Sequence, residues 1–361
     1  MNNIKPMLFT AGQSSIDKSV IESLSKPVIS SFSNSYIELM KRISDNIKKT
    51  FLVNDDYYAF PLHGTGTAGM EAIISSLIYK DTKVLVCENG YFGRRFFEIS
   101  KIYSRNVTRF RSNWGEKFNL DEYKRILEIE RPDVVYIIHG ETSMGISNPI
   151  HEMSMIAKAY NCIVAVDCSS TYIGCEIRIK DWDIDLAFAV SQKCLGMCAG
   201  ICPIVIKKSL LNGLSDTNNC MYLNLFRICH SWYPYSQYHI TPSMNLLYAL
   251  DKALMNVLDT GLHIRWKKQK NNFYYLKSKL EKIGLYSCSS DIESDLFTIL
   301  PIKSKKSCKI QEDLLNKEIY ISSGYNNENI FRIGLLSYPM KKDDINQLIE
   351  NIKISVGKAE I

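Results

Sequence analysis

Residues 134–138 read VVYII, residues 163–166 read IVAV and run into Asp167, and residues 186–190 read LAFAV and run into Ser191, Gln192 and Lys193. Each run is continuously apolar rather than alternating. A strand that is apolar on both faces needs cover on both faces, which is the setting of a parallel sheet between helices. Working outward, the same texture predicts strands over 84–87, 107–110 and 201–206, with helices over 92–103, 121–129 and 152–160. Strands alternating with helices indicate an α/β fold. The gap between 190 and 201 is too short for a helical crossover, so it predicts a local antiparallel pair or an edge strand.

Beyond about residue 242 the texture changes. Long helices are predicted over 244–258, 262–280 and 342–355, and short strands over 296–299 and 319–322 with a Lys-rich connector between them. This reads as a smaller α+β domain. The expected division is a large domain over 15–241 and a small one over 242–361, with the segment 1–14 near the active site. A chain of 361 residues agrees with about two domains at roughly 150 residues each.

Composition narrows the class. Hydrophobic residues make up 46% and charged residues 23%, which excludes a disordered chain or a coiled-coil rod. The formal net charge of +6 is spread over short runs such as Lys48-Lys49 and Lys267-Lys268. Nucleic-acid surfaces are denser in charge, so no nucleic-acid partner is expected. No run approaches the apolar length of about 20 residues that a membrane span needs, and no secretory signal is visible, so a cytoplasmic protein is expected. Eleven cysteines form no CxxC pair, and the four-residue spacing of Cys194, Cys198 and Cys202 matches neither a zinc ribbon nor a redox motif. They read as small core residues of a reduced compartment. The six histidines lack ligand spacing, and no metal is expected.

Ligands of an open parallel sheet bind beyond the carboxyl ends of its strands. Gly64-Thr65-Gly66-Thr67 opens an amphipathic stretch, and glycines and hydroxyls at a helix start form an anion cradle. A plain glycine turn would look the same, and the loose GxGxxG of Gly64, Gly66 and Gly69 lacks a dinucleotide-binding context. A carboxylate, Asp167, ends one apolar strand, and Lys193 follows another. A lysine in such a place is partly desolvated, which favours the neutral amine that forms Schiff bases.

With these motifs in that order, the chain resembles the class V, fold-type I aminotransferases that use pyridoxal phosphate. In particular it resembles the alanine–glyoxylate, serine–pyruvate and 2-aminoethylphosphonate aminotransferases. The resemblance rests on 64–67 with Glu71-Ala72, Asn89-Gly90-Tyr91-Phe92-Gly93, the block 139–145, Val166-Asp167, Ser191-Gln192-Lys193, the stretch 238–242 and Arg332-Ile333-Gly334. It implies a mostly parallel sheet of the seven-stranded type between helices, with a smaller C-terminal domain. Lys193 is then the Schiff-base lysine and proton shuttle, and Asp167 the partner of the pyridine nitrogen. Phe92 stacks on the ring, and Thr142 bonds its oxygen. Thr65, Gly66, Thr67 and Gln192 take the phosphate, while Ser169 tunes the ring. Tyr238 and Thr241 match residues that reach the phosphate of a partner subunit, which implies a homodimer with shared sites. Arg332 clamps the substrate acid, and Gly12 lines the substrate pocket. The implied partners are a small amino donor and a 2-oxo acid acceptor. Here the N-terminal pocket segment reads Thr10-Ala11-Gly12-Gln13 where the family usually has prolines, and Gln13 is expected to add a polar group near the substrate. A desulfurase on this fold would have a histidine in place of Gln192 and a cysteine within 326–331; neither is present.

Overall fold

The computed structural model describes residues 6–214, 220–233, 237–288, 293, 295–325 and 327–357. A seven-stranded sheet forms its centre, in the order Tyr57–His63, Ile201–Lys207, Leu186–Phe188, Ile163–Asp167, Val134–Ile138, Val84–Glu88, Val107–Arg111. The α/β reading holds: the five strands from Leu186–Phe188 to Val107–Arg111 pair in parallel. Ile201–Lys207 runs antiparallel to both its neighbours, so it is an interior strand rather than an edge. The edge is Tyr57–His63, whose signal the sequence blurs with a proline. Pro61 faces Pro203 across the pair, and two residues without N–H groups sit opposite each other where the ladder needs no donor.

Helices Tyr91–Tyr103, Leu120–Glu130 and Ile150–Ala159 match the predicted amphipathic stretches within two residues. Asn119 fixes the second of these by accepting from the Asp121 and Glu122 N–H groups. Helix Gly66–Leu77 lies tight on the sheet, because a Cβ on Gly69 would overlap the Phe188 ring. Two apolar clusters result. One surrounds the large sheet and includes Leu247, Leu250 and Leu254 of helix Met244–Thr260. The other joins Phe9, Phe273, Phe331 and Ile352.

The C-terminal third differs from expectation in three places. The strand expected over 296–299 lies at Ile299–Lys303. A turn precedes it, in which Ile299 N–H bonds the Leu296 carbonyl, and Leu296 itself packs into the first cluster. The strand expected over 319–322 is two short strands: Ile319–Tyr320 pairs with Met7–Leu8, and Ser322–Ser323 pairs with Ile330–Gly334. The Lys-rich connector contains a helix, Ser307–Leu315. The cysteines also divide. Seven are buried, but Cys198, Cys220 and Cys288 are half-buried and Cys308 is exposed. No helix among the described residues is long and apolar enough to cross a membrane.

Candidate active site

The carboxyl ends of the central strands converge on a cavity of about 350 Å³. Its lining includes Thr65, Gly66, Thr67, Phe92, Thr142, Asp167, Ser169, Gln192, Lys193 and Arg332, together with Gly12 from the N-terminal segment. Eleven of the thirteen expected site residues therefore meet in one hollow. Its volume lies in the range of small-molecule sites, about 300–1,000 Å³. Other surface hollows exist, such as one between His263 and Lys342, but they gather no comparable set of reactive groups.

Asp167 ends the strand Ile163–Asp167 and is buried. Its Oδ1 accepts from the Ser169 N–H at 2.7 Å, and its Oδ2 accepts from the Tyr136 hydroxyl at 3.3 Å. Burial pushes its carboxyl up, while the Ser169 bonds and the charge of Lys193 pull it back. Lys193 stands three residues beyond Val190 in a loop closed by Ser191, whose hydroxyl donates to the Cys198 carbonyl at 2.7 Å. The Ser14 hydroxyl ties down the Lys193 carbonyl at 2.7 Å. Lys193 is only 9% exposed, and burial pulls its ammonium below the ordinary lysine value. No ion pair joins it to Asp167, although the charge of each acts on the other across the cavity. Its Nζ lies 5.8 Å from the centre of the Phe92 ring.

Phe92 sits in the first turn of helix Tyr91–Tyr103, and Glu141 holds that turn. Glu141 Oε2 accepts from the Phe92 and Gly93 N–H groups at 3.0 and 3.2 Å, and Oε1 accepts from the Ser143 N–H and hydroxyl at 3.0 and 2.6 Å. Arg332 lies in Ile330–Gly334, with Nε donating to the Ser323 carbonyl at 2.9 Å and Nη1 to the Thr142 carbonyl at 3.0 Å. Two backbone acceptors thus fix the plane of its guanidinium. Thr65 caps helix Gly66–Leu77 without a side-chain bond, so the helix-start N–H groups stay open for an anion. Gln192 Oε1 is buried without a hydrogen-bond partner.

Two expected residues lie elsewhere. Tyr238 is buried away from the cavity of its own chain, its hydroxyl accepting from the His63 N–H at 3.1 Å. Thr241 is exposed. Gln13 is exposed and does not line the cavity, so the polar group expected from it is absent; Ala11 and Gly12 form that wall. Met70, Arg95, Ser322 and Tyr325 line the cavity without having been expected. Arg95 follows Phe92 by one helical turn, a spacing that puts both on one face. Tyr325 carried no local signal.

The profile of the aminotransferase class-V family matches residues 8–348. The chain belongs to the class-V aminotransferases. This class-V aminotransferase is 26% identical to the (S)-ureidoglycine–glyoxylate transaminase of Bacillus subtilis over 94% of this chain and 87% of that protein. It is 25% identical to the 2-aminoethylphosphonate–pyruvate transaminase of Bacillus cytotoxicus over 99% of each chain. The crystal structure of an alanine–glyoxylate aminotransferase from Nostoc sp. superposes with a TM-score of 0.92 at 27% identity, covering 97% of this chain and 95% of that one. The enzyme's cofactor is pyridoxal phosphate. The cavity fits it. A helix start with open N–H groups suits a phosphate, while a carboxylate, an amine and a flat phenyl face surround the space for a ring.

Proposed function

We propose that this aminotransferase takes the amino group of a small amino acid, alanine or serine being the leading donors, and gives it to pyruvate or glyoxylate. One observation carries the assignment of roles: Lys193 and Asp167 are buried in one cavity with Arg332, and no ion pair consumes either group. When bound, pyridoxal phosphate supplies a reactive carbonyl and an electron-withdrawing ring. Lys193 would hold it through Nζ and, when free of it, move a proton at the same atom; desolvation pulls its ammonium below the ordinary lysine value, in the direction a base needs. Asp167 Oδ2 or Oδ1 holds the proton of the ring nitrogen, with Tyr136 and Ser169 orienting the carboxylate. Phe92 covers one ring face, Thr142 takes the ring oxygen, and Thr65, Gly66, Thr67 and Gln192 take the phosphate. Arg332 orients the substrate acid, a task suited to its planar fork.

The reading extends to assembly. A homodimer with shared sites is supported by Thr241, which is exposed and free to reach a partner; Tyr238 is committed to the His63 backbone of its own chain. A large part over 15–241 and a small part over 242–361 are supported by the two apolar clusters, although helix Met244–Thr260 packs into the first. Residues 1–5 of the segment 1–14 lie outside the described residues. A cytoplasmic location is supported by the free thiols. Donation from 2-aminoethylphosphonate is the second reading, favoured by the end-to-end likeness to that transaminase.

A donor panel tests the proposal: alanine, serine and 2-aminoethylphosphonate, each with pyruvate and glyoxylate. Alanine or serine should bleach the visible band of the protein-bound cofactor, and Lys193→Ala should leave no adduct after borohydride reduction. An adduct that survives in Lys193→Ala would refute the lysine assignment.

A further inference from the structure

We propose that the cavity is built for a substrate with a second acidic group, with Arg95 holding the far acid while Arg332 holds the near one. The inference rests on the transamination reading above and, in place of the alanine or serine proposed there as donor, names a diacid substrate class. Two guanidinium groups line the cavity, Arg95 and Arg332, and neither has a carboxylate partner among the described residues. Neighbouring arginines are offset: Arg94 bonds Glu98 at 2.9 Å, and Arg109 and Arg111 flank Glu88 at 3.5 and 3.6 Å. A half-buried cation left unpaired at a cavity wall is stabilised most by an anion that the ligand brings.

The geometry links the two arginines. Arg95 Nη2 donates to the Tyr91 hydroxyl at 2.7 Å, and its guanidinium lies 4.8 Å from the Tyr91 ring centre and 5.5 Å from that of Phe92. The Tyr91 ring stacks on Tyr325 at 4.2 Å, nearly parallel at 12°. The Arg332 guanidinium lies 4.5 Å from the Tyr325 ring centre. Arg95, Tyr91, Tyr325 and Arg332 therefore form one continuous wall, with a cation at each end and aromatic surface between. That wall matches an acid–alkyl–acid molecule. Within the cavity lining, Asp167 is the one carboxylate among the described residues, and it faces the ring site. The phosphate has its own cradle at Thr65–Thr67 on a different helix, which leaves Arg95 for the substrate.

The test compares wild type with Arg95→Leu, Arg95→Lys and, as a surface control, Arg94→Gln. The half-reaction is followed by absorbance with L-alanine, L-aspartate, L-glutamate and O-phospho-L-serine; the last separates a phosphate from a carboxylate as the far group. The ratio of kcat/KM for the acidic donors over alanine should fall about tenfold or more in Arg95→Leu, through KM. Arg95→Lys should recover part of it, and Arg94→Gln should keep the wild-type ratio. Glutarate, which cannot react, should perturb the cofactor spectrum of wild type and do so at about tenfold higher concentration in Arg95→Leu. A ratio within twofold of wild type in Arg95→Leu overturns the proposal, as does a wild type that accepts alanine but no acidic donor. A loss of cofactor affinity in Arg95→Leu with the donor ratio intact also overturns it, since Arg95 would then serve the phosphate. A cofactor-loaded wild type that reacts with no donor refutes the transamination reading instead, and glutarate binding still decides the role of Arg95.

Discussion

Replacing Glu141 by glutamine changes one oxygen to an NH₂ group without changing shape, in a side chain with no solvent exposure. The wild-type carboxylate accepts four hydrogen bonds, three of them from backbone N–H groups of Phe92, Gly93 and Ser143. A glutamine has one oxygen. Pointed at Phe92 and Gly93, it satisfies the helix start, and the Ser143 hydroxyl can turn to accept from the new NH₂. The Ser143 backbone N–H cannot turn, and a buried orphan donor costs about 1–3 kcal/mol. The helix start also loses a negative charge beside its N–H groups, about 1 kcal/mol more. The total, about 3 kcal/mol, corresponds to a roughly hundredfold rise in the local opening equilibrium. Amide hydrogen exchange reads this directly. Peptides covering 89–96 and 139–145 should exchange about a hundredfold faster in E141Q, while helix Lys342–Val356, which is remote from Glu141, should not change. Exchange within threefold of wild type would mean that Glu141 does not hold the helix start.

His63 and His139 are both buried, and burial lowers each to about 4. Against about 6.5 when unfolded, each takes up a proton more readily in the unfolded chain, so stability is full above pH 6.5 and falls as pH drops toward 4. The loss at pH 5 is about 2 kcal/mol per histidine; urea titrations at pH 7.5 and 5 should show it shrinking in a His63→Phe, His139→Asn double variant, and an unchanged loss would contradict the assignment. Gly334→Ala should dislodge the N-terminal segment, because the new Cβ would overlap the Thr10 carbonyl; protease cleavage near residues 10–14 should rise sharply, and unchanged protection would count against that contact. A thiol reagent should modify Cys308 first in the native protein and reach Cys87, Cys168 and Cys229 only on unfolding, since these are buried and burial pushes their thiols up.

Asp167 and Lys193 were legible because one ends and the other follows a strand whose unbroken apolarity marks where it stops. The family resemblance was needed for Arg332, since nothing local to Ile330–Gly334 says that its arginine faces Thr142. The edge strand Tyr57–His63 was illegible because Pro61 suppresses its strand character, and only its place opposite Pro203 shows that the ladder tolerates it. The turn over Leu296–Ile299 could not be read from three apolar residues and a threonine, because the choice between strand and turn is made by the Gly145 carbonyl, which accepts from the Leu296 N–H. Arg95 was within reach, one helical turn beyond Phe92. Tyr325 was not: its place on Tyr91 comes from sheet pairing far along the chain. The misjudged Gln13 shows the limit of a matched motif, which fixes where a backbone passes but not which way a side chain leaves it.

The N-terminal segment has a consequence for synthesis on the ribosome. Met7 and Leu8 pair with Ile319 and Tyr320, the Phe9 carbonyl accepts from the Gly334 N–H at 2.7 Å, and the Ala11 N–H donates to the Ser322 hydroxyl at 2.8 Å. These early residues leave the exit tunnel more than 300 positions ahead of their partners. A nascent chain can assemble its central sheet and still lack the wall that Ala11 and Gly12 give the cavity. Translation must pass Gly334 before that wall can close, so the growing polypeptide has no finished pocket to misuse, and its first-made strand waits longest for a neighbour.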